Sequence, residues 1–135
     1  MSKATKGKYG YSRVVPLSYE QAIGRVTATL AERGFGILTE IDVKATLKKK
    51  LDRDFTKYVI LGACNPSFAV QALSAEIDIG LLFPCNVTVY QRPSDGETVV
   101  AGLDPEILGT LTGRPEVESI AREAGALVVA ALEAV

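Results

Sequence analysis

Two β-branched runs, Val87-Thr88-Val89-Tyr90 and Thr98-Val99-Val100, flank an Asp95-Gly96 pair. Glycine accepts the positive φ that a chain reversal needs, and aspartate hydrogen-bonds the backbone just beyond it, so the pair predicts a hairpin. Hairpins join antiparallel neighbours, whereas parallel strands need long crossovers. This one feature excludes a purely parallel, doubly wound sheet and requires a fold with antiparallel pairing.

The rest of the chain alternates strands and helices without a regular βαβα rhythm. Tyr9, Tyr11, Arg13 and Val15 fall on one face of a strand that Pro16 ends. Ser18-Tyr19-Glu20-Gln21 matches a capping box, and Tyr19, Ile23, Val26 and Leu30 form a helical stripe that Gly34 stops. Phe35, Ile37, Thr39 and Ile41 share one face of the next strand, and Asp42 caps a short helix anchored by Val43 and Leu47. Tyr58-Val59-Ile60-Leu61 is strand-like, Asn65-Pro66 opens a helix, Asp104-Pro105 another, and Pro115 a last one with Val117, Ile120, Ala121, Ala124, Leu127, Val128 and Ala131 at helical spacing. These signals predict an α+β fold with a largely antiparallel sheet. At 135 residues it is expected to form a single domain, 1–135, with residues 1–8 as a solvated, frayed start.

Composition excludes more than it assigns. Histidine is absent, which removes Ser-His-Asp and Cys-His catalysis, His-ligated haem and an imidazole pH switch. Two cysteines are too few for a disulfide scaffold or an all-cysteine zinc site, so no metal is expected and a reducing, cytoplasmic setting is the simpler reading. The net charge is -1 and the isoelectric point about 5.5, so neither nucleic acid nor an anionic membrane is an expected partner. The longest uncharged run, Tyr58 to Ala75, is broken by Asn65, Pro66, Ser67, Gln71 and Ser74, which argues against a membrane span.

Chemistry, if present, centres on the cysteines. Leu61-Gly62-Ala63-Cys64-Asn65-Pro66 sets a thiol between a strand end and a helix start, where the helix dipole can lower a thiol pKa from about 8.5. The plainer reading of Cys64 is a small buried residue at a tight junction. Phe83-Pro84-Cys85-Asn86 leads into the hairpin's first strand, so adjacent strands could bring Cys85 to Cys64 as a redox pair or a shared ligand site. Asn65 and Asn86 would add amide donors and acceptors beside the thiols. The Lys44, Lys48, Lys49, Lys50 and Arg53 cluster is better read as a solvated helix face, interrupted by Asp52 and Asp54. Glu40 and Asp42 share a strand face, but Asp42 is better explained as a cap.

Thr39-Glu40-Ile41-Asp42-Val43, Leu61-Gly62-Ala63-Cys64-Asn65-Pro66, Leu82-Phe83-Pro84-Cys85-Asn86-Val87 and Asp104-Pro105 occur in that order through most of the chain. This succession resembles the bacterial and archaeal domain-of-unknown-function family 302, with Phe83 standing where leucine is expected. The resemblance implies an α+β domain with a curved antiparallel sheet packed on helices, similar to one unit of the TATA-binding-protein-like fold. It implies no activity and assigns no role to Cys64 or Cys85.

The leading expectation is a non-enzymatic ligand-binding or sensing module for a small molecule, with Cys64, Asn65, Cys85 and Asn86 at the site, where the helix N-terminus favours an anion and the amides a polar ligand. A thiol-dependent redox enzyme or sulfur carrier, with Cys64 and Cys85 as catalytic candidates, is the alternative, and a structural dimerisation module the third. No cofactor is indicated. A homodimer is expected because Ala124-Gly125-Ala126-Leu127-Val128-Val129-Ala130-Ala131-Leu132 is apolar around nearly its whole circumference, more than one sheet face needs.

Overall fold

A computed structural model describes residues 3–135. Its elements are β1 (Thr5–Lys6), β2 (Gly10–Val15), α1 (Tyr19–Ala31), β3 (Gly36–Asp42), α2 (Val43–Leu51), β4 (Tyr58–Cys64), α3 (Pro66–Ala75), a 3-10 turn (Ile77–Leu82), β5 (Cys85–Gln91), β6 (Thr98–Leu103), α4 (Glu106–Thr112) and α5 (Pro115–Glu133). The strands form one curved sheet in the order β1-β2-β6-β5-β4-β3, and every neighbouring pair is antiparallel. The α+β architecture expected from the turn and cap signals is therefore the one observed.

The caps act as their residue types predict. Ser18 Oγ accepts from the Gln21 amide at 3.1 Å while the Ser18 amide donates to Gln21 Oε1 at 3.1 Å, so both orphan donors at the α1 start are satisfied. Asp42 Oδ1 accepts from the Ala45 amide at 2.9 Å and Asn65 Oδ1 from the Phe68 amide at 3.4 Å. In the β5–β6 connection Gly96 has φ 75°, and Arg92 holds Asp95 with two charged hydrogen bonds, Nε to Oδ1 at 3.0 Å and Nη2 to Oδ2 at 2.6 Å.

One sheet face is covered by α1 and α5. Val59, Leu61 and Ala63 of β4, Val87 and Val89 of β5, and Val100 of β6 pack there against Val26 and Leu30 of α1 and Val128 and Leu132 of α5. Gly102 belongs to this face, and a Cβ placed on it would lie 2.9 Å from Val128 Cγ1, so the missing side chain lets α5 settle onto β6. Arg13 also points to this side. It is buried, and its Nη1 donates to the Leu132, Glu133 and Val135 carbonyls at 3.1, 3.2 and 2.9 Å, satisfying groups that the end of α5 leaves open.

Three expectations need correction. Residues 1–2 of the frayed start lie outside the described residues, but Thr5 and Lys6 pair with Ser12 and Tyr11, and the Ala4 amide donates to Glu133 Oε2 at 2.9 Å. The short β1 is held because it covers the open edge of β2. The common face of Phe35, Ile37, Thr39 and Ile41 is split, since the register shifts between Ile37 and Thr39: Ile37 faces Ala63, whereas Thr39 and Ile41 face Gly62 and Ile60 on the other side. The apolar circumference of α5 is largely used within the chain, with Val117, Ala121, Ala124, Gly125, Val128, Ala131 and Leu132 all buried, as sheet, α3 and α4 contact it from different directions. The remaining face does not by itself call for a second subunit.

The uncharged run Tyr58 to Ala75 is divided between β4 and α3, and among the described residues no helix is long and apolar enough to cross a membrane.

Candidate functional site

Antiparallel pairing brings the end of β4 to the start of β5. Ala63 is the register partner of Cys85, which places Cys64, the last residue of β4, one step beyond that pair. Asn65 then caps α3, and the chain returns through the 3-10 turn and the cis Phe83–Pro84 peptide to Cys85. These segments do not close tightly on α4 and α5. They leave a cavity of about 340 Å³ between the main core and a smaller apolar cluster of Ala72, Ile79, Leu108 and Val117.

The lining is almost wholly apolar. Phe35 comes from the connection just before β3, Ala63 from β4, Phe68, Ala72 and Leu73 from α3, Leu108 from α4, and Val117 and Ala121 from α5. The polar exceptions sit toward the sheet end: Asn65 and the two free, half-buried thiols of Cys64 and Cys85, while Thr39 borders the rim with its hydroxyl over Gly62. Burial, with a smaller push in the same direction from the neighbouring Cys64, raises the Cys85 thiol to about 11. Cys85 is therefore a neutral thiol at physiological pH, a weak donor in an apolar wall.

Asn65 is fixed from two sides. Its oxygen caps α3, and its amide nitrogen lies where a Cβ on Gly34 would approach to 3.0 Å, so the left-handed Gly34 (φ 84°) serves both the exit from α1 and the seat of Asn65.

Of the four residues picked from the sequence, the structure brings together Cys64, Asn65 and Cys85 and leaves Asn86 apart. The reason is the pleat: successive residues of a strand face opposite sides, so Asn86, opposite Gly62, is exposed on the sheet's outer face. Glu40 and Asp42 lie on the edge strand, with Asp42 used as a cap. Lys48 contacts Asp52 at 2.9 Å and Asp54 at 3.4 Å, and Lys44 donates to the Phe55 carbonyl at 2.9 Å, all at the surface. Among the described residues no three of His, Cys, Asp and Glu converge as metal ligands.

The apolar walls were not legible in advance, because Phe68, Leu73, Ile79 and Leu108 read as ordinary core in one dimension. The one usable signal was the density of apolar residues on α3 and the turn after it, more than a short helix needs for one face.

The comparisons with known proteins bear on this geometry. No curated protein matches the chain. The crystal structure of an uncharacterised conserved DUF302 protein from Bacillus stearothermophilus is similar, with 30% sequence identity, a TM-score of 0.85, and coverage of 93% of this chain and 97% of that one. A family profile described as "Domain of unknown function DUF302" matches residues 11–135. The cavity, its two thiols and the strands β3, β4 and β5 beside it all lie within the matched residues, and the chain belongs to the DUF302 family.

Proposed function

We propose that the chain is a single-domain, non-enzymatic binding or sensing module whose ligand is a small apolar molecule held in the cavity between α3, α5 and the sheet end. The observation that carries this reading is the cavity itself: about 340 Å³, within the range of small-molecule sites, lined by aliphatic and aromatic side chains with a few polar groups gathered at one end. An apolar body would displace water from Phe68, Ile79 and Leu108, while Asn65 and the thiols meet a single polar group. The free thiols are in keeping with a reducing, cytoplasmic setting.

The alternative, a redox enzyme or sulfur carrier, is favoured by the presence of both thiols in one wall. It is weakened by Cys85: with its pKa pushed up to about 11, the thiolate needed for exchange is on the order of one part in ten thousand at pH 7. The structural homodimer is weaker still, because the helix that motivated it is largely covered by its own chain.

Titration with the neutral, environment-sensitive dye N-phenyl-1-naphthylamine tests the leading reading. Emission should rise and saturate at one dye per chain, and Ala72→Phe, which fills the cavity from α3, should abolish the rise in a protein that still unfolds cooperatively. Dye emission that is unchanged by the protein, or equal in Ala72→Phe, would sink the proposal. Rapid carboxymethylation of Cys85 at pH 7 would favour the thiol alternative instead.

A further inference from the structure

The face of the sheet turned away from α1 and α5 holds a second concavity, of about 370 Å³, lined by β2, β4, β5 and β6 together with residues 7–9. No helical residue contributes to it. At one end Tyr58 and Tyr90, register partners on β4 and β5, stack with ring centroids 5.2 Å apart and planes 11° from parallel. The next row along the strands carries Thr88, Ala101 and Ser12, and the row beyond it Asn86. Two residues of strand span about 7 Å, so the tyrosines and Asn86 bound a trough about 13 Å long. Lys8 stands at the rim, its Nζ 5.7 Å from the Tyr9 ring centroid.

The arrangement is polarised. One end offers an aromatic wall formed by two tyrosines stacked on each other, against which a further ring can pack, the floor offers two hydroxyls, and the far end offers an amide and a cation. Ser12, Thr88 and Asn86 make no side-chain hydrogen bond to another described residue, so their donors and acceptors are available to a ligand. Stacked aromatic rings recognise planar heterocycles regardless of sequence, and an asparagine amide presents a donor and an acceptor side by side. A fully apolar ligand would leave the hydroxyls and amide without partners, and a simple anion would leave the tyrosines unused.

We infer that the outer face of the sheet binds a nucleotide-sized molecule, its planar heteroaromatic ring against Tyr58 and Tyr90 and its polar or anionic end toward Asn86 and Lys8. The free mononucleotide, rather than a strand of nucleic acid, is the source that fits, because the trough is one nucleotide long and the chain's net charge of -1 provides no attraction for a polyanion. The site lies across the sheet from the apolar cavity, so the two can succeed or fail separately.

Isothermal titration of the full chain with adenosine monophosphate, adenosine, ribose 5-phosphate and a single-stranded oligodeoxynucleotide tests the inference. Adenosine monophosphate should bind with a submillimolar Kd and ribose 5-phosphate at least about tenfold more weakly, the usual effect of losing one stacked base. Tyr90→Ala and the milder Asn86→Ala should each weaken adenosine monophosphate severalfold without altering naphthylamine binding in the cavity, and Lys8→Ala should weaken the monophosphate but not adenosine. Absence of binding by both adenosine compounds at millimolar concentration, or equal binding of ribose 5-phosphate, overturns the inference. Tighter binding of the oligonucleotide than of the monophosphate overturns the assignment to a free ligand.

Discussion

The Arg13 guanidinium donates from Nη1 to the Leu132 carbonyl at 3.1 Å, joining positions 119 residues apart in the chain. The same nitrogen reaches the Glu133 and Val135 carbonyls, so a cation buried beneath the sheet neutralises the negative end of α5. This contact ties the last helix to β2, and the position of α5 in turn sets one wall of the apolar cavity.

Arg13→Met should retain most of the packing of the stem while leaving these carbonyls without their donor. A loss of about 3 kcal/mol is expected, from the cost of orphaned buried acceptors. Urea unfolding should show a lower midpoint at an unchanged slope, and a midpoint equal to that of the parent would refute the role assigned to Arg13.

Gly102→Ala places a methyl 2.9 Å from Val128 Cγ1 and 3.4 Å from Leu132 Cδ1. Valine is too short to swing aside, so α5 must move outward, at a cost of about 1–3 kcal/mol. Thermal unfolding measures it, and a stability gain would show that β6 and α5 are less closely packed than described.

Gly34→Ala combines a positive φ with a methyl 3.0 Å from Asn65 Nδ2. The backbone cost is about 1–2 kcal/mol, and the push on Asn65 should loosen the cap of α3. In NMR spectra the Asn65 side-chain amide and the Phe68 backbone amide should shift together. Perturbation confined to Gly34 and its neighbours would contradict the link between the two loops.

Cys85 makes stability depend on alkaline pH. Its folded-state pKa, pushed from 9.0 up to about 11, lies above that of the unfolded chain. The unfolded thiol therefore ionises first, and the stabilisation present below pH 9 is lost as the pH rises toward 11. Two pH units correspond to about 2–3 kcal/mol. Cys85→Ala should flatten that part of the stability profile relative to the parent, and parallel profiles between pH 8 and 11 would show that Cys85 is not held neutral by burial.

Sequence alone determined the elements whose signals are local. Ser18, Asp42 and Asn65 mark helix starts because a short side-chain oxygen reaches an amide three residues away, and Gly96 marks a reversal because its φ needs no partner elsewhere. The antiparallel pairing of β5 and β6 and the neighbourhood of Cys64 and Cys85 follow from those same signals once adjacent strands are paired. Only the tertiary structure decided which face each residue occupies. The register shift at Ile37 and Thr39 divides β3 between the two sides, and the pleat separates Asn86 from Cys85 although they are adjacent in sequence. The cavity was also beyond local reading, because its walls come from six helices and strands far apart in the chain. Phe68, Leu108 and Val117 carry the same apolar signal whether they fill a core or surround a space, and the difference arises only from how closely α3, α4 and α5 approach one another.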